Sequence, residues 1–148
     1  GTALAARMED LLLGLAGAYP TPIALDESLV AEGDLERWLG AGWPGIFVVK
    51  PALFGDVAGA LARLARDKAD VVFSSALETA VGARAALQTA FGWAGGSGGP
   101  DAPPPRALGF GVWPLFADEN LNGPAAAPYL RSEDVARIDV EAAWNALN

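Results

Sequence analysis

Three polar residues recur at one interval along this chain. Asp26, Lys50 and Ser74 lie 24 residues apart, and each closes a short apolar run: "PIALDES", "GIFVVK" and "DVVFSS". A carboxylate, an amine and a hydroxyl at a common place offer a ligand for a hard cation, a base or fixed positive charge, and a hydrogen-bond donor. Composition removes the other chemistries. The 148 residues include no cysteine and no histidine, so disulfides, thiolate catalysis, Ser-His-Asp chemistry and zinc held by Cys or His are excluded. Catalysis must rest on carboxylates, lysines, arginines, hydroxyls and backbone groups. Any metal would be an oxygen-liking ion such as magnesium.

The elements that must position these residues read as a repeated strand-helix unit. A strand over 22–26 leads to the helical "EGDLERWLGAG", stopped by Gly42 and Pro44. "GIFVVK" is a second strand between Gly45 and Pro51. "DVAGALARLARDKA" has apolar residues at helical spacing, with Asp56 as its N-cap. "DVVFSS" is a third strand and "ALETAVGARAALQTAFGW" a third helix. The Gly/Pro-rich segment 94–106 reads as a flexible loop, "ALGFGVWPLF" as a fourth apolar strand, and "SEDVARIDVEAAWNAL" as a closing helix capped by Ser132. Continuous apolar strands alternating with helices indicate an α/β fold with a parallel sheet under helices. Ligands of such sheets meet the carboxyl ends of the strands, where Asp26, Lys50 and Ser74 would share one rim. A charge at a strand end is also where the first solvated residue beyond a core falls, so spacing alone names no reaction.

The net charge of −8 and the lack of a basic stripe argue against nucleic acid. No run of 18 apolar residues exists to span a membrane. The apolar "LLLGLAGA" follows Met8, Glu9 and Asp10 rather than a basic segment, so it reads as an amphipathic helix and not a signal peptide. A cytoplasmic setting is the default.

The motifs "PIALDESL", "FVVKPALFG", "VVFSSALETAVG" and "ALGFGVWPLFAD", in that order, resemble the second half of the o-succinylbenzoate synthase family of the enolase superfamily. The resemblance covers roughly residues 2 to 124. It implies the C-terminal half of a TIM-like (β/α)8 barrel, with about four parallel strands and covering helices. It also implies a Mg2+-dependent dehydratase of menaquinone and phylloquinone biosynthesis, acting on a small carboxylate substrate through an ene-diolate. In that family the "DES" aspartate, here Asp26, is the last of three metal carboxylates. The "KP" lysine, here Lys50, faces the substrate opposite a second lysine. The "SS" pair, Ser74 and Ser75, helps hold the substrate's carboxylate-bearing side chain, and Gly109 and Gly111 let bare backbone approach it. Lys50 would keep its charge and stabilise the intermediate by contact with the flat ring.

The resemblance also marks what lies outside these 148 residues: the capping domain, the first half of the barrel, two metal carboxylates and the second lysine. The whole of 1–148 is then one partial barrel domain. Half a barrel leaves sheet edges and an apolar face seeking cover. The chain would be a split or truncated product, pair with an N-terminal half, or join a second copy. Glu27 directly follows Asp26 and should point away from it, while Glu78 reads as a helix-dipole partner. Trp38, Trp43 and Trp144 read as packing anchors, Trp113 as a rim residue, and 117–124 as a solvated turn. Two other functions fit the same lysine: N-acylamino acid racemase or dipeptide epimerase, and a remnant without turnover.

Overall fold

The computed structural model describes residues 2–93, 106–124 and 129–147. Three strands, β1 (Ala24–Leu25), β2 (Ile46–Val49) and β3 (Asp70–Phe73), form one parallel sheet in the order β1-β2-β3. Each crossover carries a helix: α2 (Glu32–Gly40) between β1 and β2, and α3 (Val57–Arg66) between β2 and β3. Helix α1 (Thr2–Ala18) precedes the sheet and α4 (Ala80–Gly92) follows it. This is the α/β architecture expected from the alternation of apolar runs with helical periods. Among the described residues, no helix is long and apolar enough to cross a membrane.

Local chemistry sets the boundaries. Asp56 caps α3 as expected, its Oδ1 accepting the Gly59 N–H at 2.9 Å. All four β2 residues are buried, as befits a central parallel strand covered on both faces. Leu25, Phe47, Val49 and Phe73 join Leu35, Trp38, Leu64 and Leu87 in the core. Trp38 and Trp43 meet edge to face at 5.4 Å, confirming them as packing anchors, whereas Trp144 remains exposed. The Gly45 position has no room for a side chain, because a Cβ there would collide with the Ile23 carbonyl and the Trp43 ring.

Four boundaries differ from expectation. The first strand is two residues long rather than spanning 22–26. The expected fourth strand is reduced, among the described residues, to one parallel bridge between Ser74 and Gly109. Glycines 109 and 111 weaken extended structure, and Pro114 cannot donate to a ladder. The third helix starts at Ala80 rather than at Ala76, because residues 75–78 form a bonded turn with Leu77 at φ 63°. The closing helix is two, α5 (Ser132–Ala136) and α6 (Val140–Asn145). Asp139 divides them by accepting the N–H groups of Glu141 and Ala142 at 3.0 and 2.9 Å, a cap that starts a new helix. The residue before α5 is Arg131, so Ser132 is its first helical residue and not its cap. Both short helices pack on α4, and the Arg84 guanidinium donates to the Ile138 carbonyl between them at 3.2 Å.

Of the expected 94–106 loop, only Arg106 is among the described residues. Its guanidinium grips Asp70, at the start of β3, through two bonds of 2.6 and 2.5 Å.

Candidate functional site

The turn after β1 is anchored from below. The Leu29 N–H returns to the Asp26 carbonyl at 3.0 Å, Leu29 is fully buried, and the Trp38 indole N–H donates to the Ser28 carbonyl at 3.1 Å. Asp26 and Glu27 are thereby fixed on the rim. Across the sheet, Ala24 stands opposite Ile46 and Leu25 opposite Phe47, so continuing the register puts Asp26 beside Val48. Val49 stands opposite Phe73, so Lys50 falls beside Ser74. Equal sequence spacing therefore aligns Lys50 with Ser74 but leaves Asp26 one pleat short of Lys50. The length of the lysine closes that gap: its Nζ lies 2.5 Å from Asp26 Oδ1.

Glu27 reaches the same ammonium, with Oε1 3.1 Å from Nζ. It was expected to point away by strand alternation, but β1 ends at Leu25 and alternation does not govern the turn that follows. The Lys50 side chain is 11% exposed, against 52% for Asp26 and 85% for Glu27. Burial alone would lower the lysine's pKa. The bonds and charges of Asp26 and then Glu27 together outweigh it and hold the ammonium above the ordinary lysine value.

At the end of β3 the two serines part company. Ser74 donates from Oγ to the Gly109 carbonyl at 3.1 Å, and the Gly109 N–H donates to the Phe73 carbonyl at 2.8 Å. Ser75, only 6% exposed, turns inward. Its hydroxyl donates to Glu78 Oε2 at 3.1 Å and accepts the Leu77 N–H at 2.9 Å, while the same carboxylate oxygen accepts the Ala76 N–H at 2.6 Å. Glu78 thus braces the turn ahead of α4. Gly109 is bare because Ser74 fills its side-chain space, whereas nothing lies within 4 Å of a Cβ built at Gly111. Residues 117–124 form the expected polar turn, organised by Asn122, whose Oδ1 accepts the N–H groups of Leu115 and Phe116. The Trp113 ring lies over Gly123.

The sheet therefore brings Asp26, Glu27 and Lys50 into direct contact and puts Ser74 and Gly109 on the neighbouring strand end. Sequence reasoning missed the part of Glu27, for which adjacency to Asp26 was the available signal. A cavity of about 280 Å³ lies elsewhere, lined by Asn122, Gly123, Asp134, Arg137 and Asp139 among others, and includes none of these strand-end residues.

Among the described residues, no group of three or more acidic side chains is placed to hold a metal ion. Magnesium favours six oxygen ligands in near-octahedral array. The two rim carboxylates are instead gathered around an ammonium, so these residues do not by themselves fit that ion.

The sequence is 44% identical over 103 residues to the o-succinylbenzoate synthase of Thermosynechococcus vestitus (strain NIES-2133 / IAM M-273 / BP-1), taking in 68% of this chain and 29% of that protein. The crystal structure of o-succinylbenzoate synthase from Thermosynechococcus elongatus BP-1, complexed with Mg in the active site, matches with a TM-score of 0.56 at 45% identity. That match covers 70% of this chain and 30% of the other. This chain is a relative of o-succinylbenzoate synthase. No family model matches it. It spans under a third of the length of the synthases it resembles, and its three parallel strands with their helices are consistent with half of a TIM-like barrel.

Proposed function

We propose that this chain is the C-terminal barrel portion of an o-succinylbenzoate synthase and supplies the cationic side of its active site. The reaction converts 2-succinyl-6-hydroxy-2,4-cyclohexadiene-1-carboxylate to o-succinylbenzoate. A proton leaves the carbon next to the carboxylate, hydroxide leaves the ring, and the ring becomes aromatic. The observation that carries this reading is the Lys50 ammonium held between Asp26 and Glu27 at the strand ends of a synthase-like sheet.

The chemistry of these residues follows from where they stand. An ammonium fixed at the sheet's mouth opposes the negative charge that develops on the substrate carboxylate as the proton is removed. Held by two carboxylates, Lys50 suits that electrostatic part better than the part of a base, which needs a free amine. Ser74 and the open space above Gly111 would border the succinyl side chain. Ser75, committed to Glu78, would act through the shape of the turn. Asp26 is the carboxylate this chain offers to a metal, and the other acids and the second lysine would come from sequence outside it. A capping domain, a cytoplasmic location and a place in quinone biosynthesis belong to the same reading.

The test is a dehydration assay on the full-length protein carrying this segment, with and without magnesium. Formation of o-succinylbenzoate is the expected result. Racemisation of N-acylamino acids or epimerisation of dipeptides, with no dehydration, would replace it by the sister activities that use the same lysine.

A further inference from the structure

We propose that Glu78 is a positioning residue that locks Leu77 in a left-handed backbone conformation and so sets where Ser74 stands. On the synthase reading, on which this inference rests, Ser74 borders the substrate's succinyl side chain. Among the described residues, Leu77 and Lys68 are the non-glycines with positive φ, at 63° and 53°. Lys68 lies just past the end of α3, where helices commonly finish in this way. Leu77 is not at a helix end. It precedes α4 by three residues, its side chain is 60% exposed, and a leucine in this region crowds its Cβ against the carbonyl that follows. Strain of that kind persists only where the surroundings impose it.

The bonds that impose it converge on one carboxylate. Glu78 Oε2 accepts the Ala76 N–H at 2.6 Å and the Ser75 hydroxyl at 3.1 Å, and that hydroxyl accepts the Leu77 N–H at 2.9 Å. The other oxygen, Oε1, is buried with no hydrogen-bond partner among the described residues, so the carboxylate is kept in place at a cost. Gly82 makes room for it: a Cβ there would meet Glu78 Cβ and Cγ at 2.7 and 2.8 Å. At its other end the turn is tied to the site. The Ser75 N–H and the Ser74 hydroxyl both donate to the Gly109 carbonyl, each at 3.1 Å. Without the Glu78 bonds, Leu77 relaxes towards negative φ, the turn swings, and Ser75 draws Ser74 off Gly109.

The test is steady-state dehydration by the full-length protein carrying this segment. Glu78→Ala should raise KM by about tenfold or more, the worth of one hydrogen bond to a charged group, and change kcat by less than about threefold. Glu78→Gln, whose amide oxygen can accept the same two bonds, should keep KM near the parent value. A brace that merely kept the protein folded would lower kcat through the active fraction and leave KM unchanged, which would overturn the proposal. Second changes at residue 77 decide whether backbone strain is the link. Added to Glu78→Ala, Leu77→Gly makes the left-handed conformation free and should return KM to within about threefold of the parent, whereas Leu77→Ala keeps the Cβ and should not. The melting temperature should follow the same order, the glycine change recovering part of the loss and the alanine change none. If glycine and alanine behave alike in both readouts, no backbone lock exists and the proposal fails. A protein that dehydrates nothing, while glycine but not alanine still recovers the melting temperature, would sink the synthase reading and leave the lock standing.

Discussion

Ser74 and Gly109 occupy each other's space. Ser74 Oγ donates to the Gly109 carbonyl at 3.1 Å, and a Cβ built on Gly109 would lie 2.7 Å from that same oxygen. The contact carries the last parallel bridge of the sheet. Gly109→Ala should therefore push Ser74 aside and destabilise the chain by about 1–3 kcal/mol, read as a lower denaturant midpoint. Gly111→Ala, with open space around it, should stay within about 0.5 kcal/mol and, on the proposed synthase reading, should weaken substrate binding in the full-length protein. Equal stability losses at the two glycines would remove the distinction between a packing glycine and a substrate-facing one.

Ser75 and Ser74 are adjacent but should fail differently. Ser75 is buried and bonded on both sides, to Glu78 and to the Leu77 N–H. Ser75→Ala leaves the Leu77 N–H without its acceptor and should cost about 1–3 kcal/mol. Ser74→Ala removes a part-exposed hydroxyl and should cost about 1 kcal/mol or less. Thermal unfolding of the two variants side by side decides it, and a larger loss at Ser74 would contradict the bonded turn.

The repeating units and the polar strand ends were legible from the sequence because apolar runs of strand length and helical periods differ in kind. What the spacing could not convey was register. Asp26 and Lys50 are as far apart in sequence as Lys50 and Ser74, yet β1 pairs with β2 at an offset of 22 residues and β2 with β3 at 24. The interval counts the loops and helix of each crossover as well as the strands, so equal intervals need not give level strand ends. The fourth strand misled for a different reason. "ALGFGVW" is apolar enough to be buried, and Phe110 is, but glycines permit burial without extended pairing. Asp139, read as one residue of a single closing helix, instead begins a new one. Its side chain competes for the same N–H groups that a continuing helix would use.

Glu32 gives the fold a pH dependence. Its Oε1 accepts the N–H groups of Asp56 and Gly55 at 2.9 and 2.5 Å, tying the start of α2 to the loop before α3. The Asp56 amide foremost, with Glu32's own backbone and the Gly55 amide, outweighs partial desolvation and holds the carboxyl below its ordinary value of 4.5. A depressed carboxylate pKa contributes stability above the unfolded value and loses it as pH falls through the folded one. Glu32→Ala should thus lower the melting temperature at neutral pH, and its difference from the parent should narrow below pH 4.5. A difference independent of pH would assign the loss to packing.

Lys50 should separate activity from stability. Its ammonium sits at the rim beside two carboxylates that are half exposed or more, so water screens the pair and its loss should cost the fold about 1 kcal/mol or less. On the synthase reading proposed above, the same ammonium would be a fixed charge facing the reacting carboxylate in the full-length protein, and losing one such group typically lowers turnover by about 10²–10³-fold. Lys50→Ala should therefore unfold near the parent temperature while its dehydration rate falls by that order. A core change such as Phe47→Ala, at a residue 1% exposed, should do the reverse, costing about 3–5 kcal/mol and lowering activity only through the folded fraction. Should Lys50→Ala unfold early and turn over normally, the ammonium would be a structural brace between strand ends, and the catalytic charge would have to come from another residue.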